Sequence, residues 1–124
     1  MVYQRLKALS VAILIILNAF IYGSEKQKVV TRYKMTRKSF MFLARRKALH
    51  ATFVAEVAQE LQELGWQLVE DGSGNFCFFD IEMTANWARL STKRVKEFRG
   101  TDDDILIEEL KAHLGNDDTQ EDEE

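Results

Sequence analysis

The hydrophobic pattern of this chain changes character three times. Ala8 to Tyr22 is a run of fifteen residues broken only by Ser10 and Asn18. From Phe53 the apolar positions Phe53, Val57, Leu61 and Leu64, with Val54 beside them, recur at helical spacing, and Glu56, Gln59, Gln62 and Glu63 take the other side. Gly65 suits a helix C-cap, after which Trp66 to Glu70 alternates as a strand does. Asp71-Gly-Ser-Gly-Asn75 supplies turn residues and Phe76 to Ile81 a returning strand, so the pair predicts a β-hairpin.

A second helix is predicted from about Thr84 to Phe98, with Met83, Trp87, Leu90, Val95 and Phe98 as its buried stripe. Arg89, Lys93 and Lys96 stack on its opposite side. A third helix starts at Thr101-Asp-Asp-Asp104, where a hydroxyl and clustered carboxylates suit the positive end of the helix dipole. Leu106, Ile107, Leu110 and Leu114 form its expected core face, and Gly115 its end. Ser39 to Ala44 reads as an upstream extension of the Phe53 helix rather than as a separate strand.

This order gives a small α+β fold: helix, β-hairpin, helix, helix, with the two-stranded sheet covered by helices. An N-terminal apolar helix precedes the domain and a disordered acidic tail follows it. The expected boundaries are 1–34 for the apolar segment and basic linker, 35–115 for the domain and 116–124 for the tail. The tail carries six acids and no apolar side chain, so it has nothing to bury.

Charge sharpens this division. Met1 to His50 hold eleven Lys or Arg against one acid, Glu25, whereas the rest of the chain holds six basic and nineteen acidic residues, so the net charge of -3 conceals two opposed ends. The single cysteine, Cys77, excludes an intrachain disulfide, and the absence of a glycosylation sequon also favours a reducing compartment.

The apolar run admits four readings. A membrane-spanning anchor is the leading one, since Leu6 and the flanking tyrosines extend a segment otherwise short of the roughly 20 residues a bilayer requires. Lys26, Lys28, Arg32, Lys34, Arg37, Lys38, Arg45, Arg46 and Lys47 follow the run, and this positive bias would hold the downstream domain in the cytoplasm. A cleaved signal fits less well, because cleavage after Gly23 puts Ile21 where a small residue is preferred. The third reading starts translation at Met35, leaving a cytoplasmic protein. The fourth is an apolar helix packed in a soluble core.

Candidate chemistry is sparse. Asp71, Ser73, Asn75 and Glu82 place oxygens at positions one, three, five and twelve of a calcium loop, but Phe76 occupies the glycine position and a strand stands where the entering helix belongs. A plain turn is expected. Nucleophilic catalysis would require Cys77 with His50 or His113, yet Cys77 sits among phenylalanines on an expected buried strand and His50 on the Phe53 stripe. The three make no zinc spacing. The expectation is therefore a protein with no catalytic residue, metal or cofactor and no small-molecule substrate.

Binding remains. The stretch Lys26 to Lys47, interleaved with Tyr33, Phe40 and Phe42, suits an anionic membrane surface, and Arg89, Lys93 and Lys96 extend the candidate set. The leading expectation is a membrane-tethered interaction or regulatory protein whose cytoplasmic domain works through contacts with another protein. The alternative is a soluble accessory factor from Met35 that binds protein or nucleic-acid phosphates.

Overall fold

A computed structural model describes the backbone of residues 4–123 and the side chains of residues 4–115. The chain divides into two compact units, Met1–Trp87 and Ala88–Glu124. In the first, helix α1 (Ala8–Lys26) leads into strand β1 (Arg32–Thr36), helix α2 (Arg37–Ala44), helix α3 (Ala51–Glu63) and strands β2 (Trp66–Glu70) and β3 (Asn75–Asp80). A short 3₁₀ helix, Ile81–Asn86, closes the unit. The fold is thus α+β, as the pattern predicts, with an N-terminal helix and an antiparallel sheet.

That sheet has three strands in the order β1-β3-β2, one more than the hairpin alone provides. Tyr33 pairs with Phe78 and Met35 with Phe76, while Leu68 meets Phe78 from the other side. These side chains share one face because strand side chains alternate. Ser39 to Ala44 is helical but does not extend α3: it belongs to α2, which ends at Ala44, and α3 begins only at Ala51. Arg-Tyr-Lys-Met-Thr alternates polar and half-buried apolar positions and adds itself to the edge of the hairpin. Thr36 then switches the period from two to 3.6, its Oγ1 accepting a hydrogen bond from Ser39 N at 3.1 Å as the N-cap of α2.

The core lies between the inner sheet face and the helices. Phe40, Phe76, Phe78, Leu61, Val57, Ile15 and Val11 are its fully buried side chains, and the Phe40 and Phe76 rings stack at 4.7 Å. Helix α1 packs along α3. Val11, Ala12, Ile15 and Ala19 are no more than 2% exposed, and small residues at 12 and 19 let α1 approach closely. The chain leaves α1 through Gln27 in the left-handed conformation, with Lys28 N bonded to Gly23 O at 2.9 Å. A Cβ on Gly23 would stand 2.5 Å from Lys28 O, so this return requires glycine.

The second unit contains a 3₁₀ helix, Lys93–Phe98, and helix α4, Asp103–Glu123. No continuous helix spans Thr84 to Phe98. Trp87 is extended and separates the two 3₁₀ turns, and the expected stripe is exposed at Trp87, Leu90 and Val95. Helical spacing alone does not hold a helix there, because packing supplies most helix stability and these side chains stay exposed. The same holds for α4, where Leu106, Ile107, Leu110 and Leu114 are exposed rather than a core face. Gly115 does not end α4. Its φ is not left-handed, and glycine inside a helix costs only about 1 kcal/mol relative to alanine. The tail 116–124, expected to be disordered, lies outside the residues whose side chains are described.

Candidate functional site

Helix α1 is apolar from Ala8 to Tyr22 apart from Ser10 and Asn18, and a helix with so little polar surface is either buried or faces something other than water. The first unit covers only one side of it. On the other, Leu9, Ile13, Leu17, Phe20 and Ile21 recur at helical spacing and are between 41% and 59% exposed. Exposed Leu64 adjoins this stripe across a shallow groove of about 380 Å³, lined by Ile13, Leu17, Phe20 and Leu64 and edged by the carboxylates of Asp80 and Glu82.

Positive charge brackets the stripe. At the far end of α1, Lys26 and Lys28 lie 5.9 and 5.6 Å from the centroid of the Tyr22 ring. At the near end, Leu6 N donates to Ala44 O at 3.1 Å and Arg46 donates to Leu6 O at 3.0 Å. These two bonds bring Arg5 beside the end of α2. Arg5, Arg45, Arg46 and Lys47 then line one open cleft of about 590 Å³, together with Phe42 and His50. The Arg46 guanidinium lies 3.5 Å over the Phe53 ring, an attractive cation–π geometry. Burial, and after it repulsion from Arg5, lowers its pKa from the ordinary arginine value, while Glu56 opposes the shift.

The remaining basic candidates separate. Arg32 and Lys34 lie on the outer sheet face, and Arg37 and Lys38 open α2, where Arg37 donates to Leu49 O at 3.1 Å. Arg89, Lys93 and Lys96 belong to the second unit and are exposed. Arg5 and His50 are the members that lie outside the basic stretch Lys26 to Lys47. Arg5 lies forty residues from Arg45, and the Leu6–Ala44 and Arg46–Leu6 bonds unite the two segments.

The sites weighed for catalysis resolve differently from their sequence expectation. Cys77 is half-buried on the outer sheet face, in a cleft with Arg32, Lys34, Phe79 and Trp87 that no histidine lines. His50 is not on the buried stripe of α3 but is its exposed N-cap residue. His113 Nε2 faces Glu109 at 3.5 Å, one turn back on α4. Asp71 Oδ1 accepts from Ser73 N at 2.8 Å and Asn75 N at 3.1 Å, and Oδ2 from Asn75 Nδ2 at 3.1 Å. Led by the Ser73 bond, these contacts hold the carboxyl below its usual range. Its lone pairs thus serve the turn itself.

The outer sheet face is a second uncovered surface. Phe79 and Trp87 meet at 6.1 Å between ring centroids, and Val69 is exposed on the neighbouring strand. No protein-family model, curated protein or solved structure matches this chain.

Proposed function

We propose that this is a small, non-enzymatic interaction or regulatory protein held at an anionic membrane surface by the uncovered stripe of α1. One observation carries the reading: a largely apolar helix exposes Leu9, Ile13, Leu17, Phe20 and Ile21 between two basic clusters. Burying the exposed half of five such side chains is worth about 4–7 kcal/mol. Each lysine or arginine near an anionic leaflet adds about 1 kcal/mol. Together these suffice for reversible attachment, with α1 lying along the surface. The outer sheet face then remains available for a protein partner.

A second reading has α1 crossing the bilayer. Its length favours this, because 19 residues rise about 28 Å, close to a hydrocarbon core of about 30 Å. The docked geometry favours the surface instead. Crossing would withdraw Val11, Ala12, Ile15 and Ala19 from the core and break the 2.6 Å hydrogen bond from the Tyr33 hydroxyl to Ile15 O. Membrane fractionation of the full chain separates the readings. Surface attachment predicts a pelleted protein released by alkaline carbonate. Retention through carbonate would establish the spanning anchor, and a protein that never pellets would sink both in favour of the soluble, nucleic-acid-associated reading.

A further inference from the structure

We propose that the cleft between the start of α1 and the end of α2 binds a compact phosphomonoester, with Arg5, Arg45, Arg46, Lys47 and His50 around the phosphoryl group and Phe42 against the rest of the ligand. The cleft stands on its own geometry and goes beyond the attachment of α1. Among the described residues, its lining holds four permanent cations and an imidazole but no carboxylate. At about 590 Å³ it falls within the range of small-molecule sites. Phe42 is 80% exposed at its rim, an aromatic that no packing requirement of the fold explains.

The bland account of such a cluster is that it neutralises the negative end of α2. Backbone groups already do that. Arg45 N donates to Phe42 O at 3.2 Å and Arg46 N to Met41 O at 2.9 Å, so the last carbonyls of α2 are capped without any side chain. The fold also holds the cluster at a local cost. Arg45 has φ 56°, a left-handed conformation that glycine adopts freely and arginine does not. Arg5 and Arg46 line the same cleft and carry like charges, which repel. An anion with two or three acceptor oxygens relieves that repulsion and is the ligand that guanidinium forks match.

The compactness of the cluster selects a monoester dianion over a polymer, whose phosphates are spread along a backbone. Its source is either a lipid headgroup or a soluble phosphate, and the test separates them. The full chain is titrated with phenyl phosphate and, separately, with phosphatidylcholine vesicles carrying phosphatidic acid or charge-matched phosphatidylserine. Saturable phenyl phosphate binding with no preference between vesicles establishes a soluble ligand, even if no vesicle is bound and surface attachment through α1 fails. A preference of about tenfold for phosphatidic acid establishes the lipid source.

Arg45→Gly serves as the decisive variant, because it suits the backbone and should raise or preserve the melting temperature while weakening binding about tenfold. Lys47→Gln should weaken binding without altering the helix cap. Equal affinity of Arg45→Gly and the parent would reduce Arg45 to a cap residue and overturn the site. So would equal binding of both vesicle types without phenyl phosphate binding, or DNA binding that phenyl phosphate does not compete.

Discussion

Helices α1 and α4 are both long and both carry regularly spaced leucines and isoleucines, yet they meet opposite fates. Within its unit, α1 has a three-stranded sheet and α3 to pack against, and its inner side chains are sealed from water. Within its own unit, the other described element is a short 3₁₀ turn, and Ile105, Leu106, Ile107, Leu110 and Leu114 on α4 are exposed. Periodicity is therefore a property of the helix, whereas burial is a property of what else the chain can bring to it. Four isoleucine or leucine positions at proper spacing do not make a core.

The contrast breaks most visibly at Ile15. Ile15→Ala deletes side-chain atoms from a site with no exposure, and the expected loss is about 2–5 kcal/mol in a urea unfolding curve. Next comes Gly23→Ala, which drives a Cβ to within 2.5 Å of Lys28 O and is expected to destabilise by about 1–3 kcal/mol. Unchanged stability there would mean that the return after α1 is not fixed as described.

Tyr33 ties the same helix to the sheet and yields a signature in pH. Burial pushes its phenol up to about 12 from an ordinary 10.0, with Asn18 pulling partly back. A pKa raised in the folded state gives stability that is complete below pH 10 and lost as pH rises towards 12. Discounted for partial solvent access, the loss is about 1–2 kcal/mol. Tyr33→Phe should flatten the curve in that window while lowering stability at neutral pH through the lost bond to Ile15 O. A parent curve that is already flat between pH 10 and 12 would contradict the buried hydroxyl. The smallest effect belongs to Leu110→Ala on α4, expected within about 0.5 kcal/mol of the parent in the same unfolding assay. A larger loss would show that α4 has a packing partner.

Much of the first unit was legible. Helix α3 and the hairpin follow from the Phe53 periodicity, the Gly65 cap and the Asp71 turn, because local chemistry and tertiary packing agree there. Strand β1 was harder, since five alternating residues abut the apolar Ser39–Ala44 and the two together resemble one longer segment; Thr36 marks the junction. The Thr84–Phe98 helix failed because sound spacing does not by itself bury a stripe, and Trp87, Leu90 and Val95 stay exposed. For the candidate site, the nine basic residues were plain in the sequence, but the convergence of Arg5 on Arg45 and Arg46 depends on the Leu6–Ala44 and Arg46–Leu6 bonds. A half-covered helix cannot be read from composition either, since both of its sides look alike.

The late arrival of the partners of α1 sets a clock. During synthesis the apolar helix is complete at Lys26, yet α3 ends at Glu63 and the central strand β3 at Asp80. At elongation rates of about 5–20 residues per second, the hydrophobic helix waits roughly 3–10 s before its cover exists. Within that interval the nascent chain presents to targeting factors, chaperones and membranes the same surface that the finished domain half conceals. The order of elements along the chain thus leaves α1 without its full cover until the central strand is made.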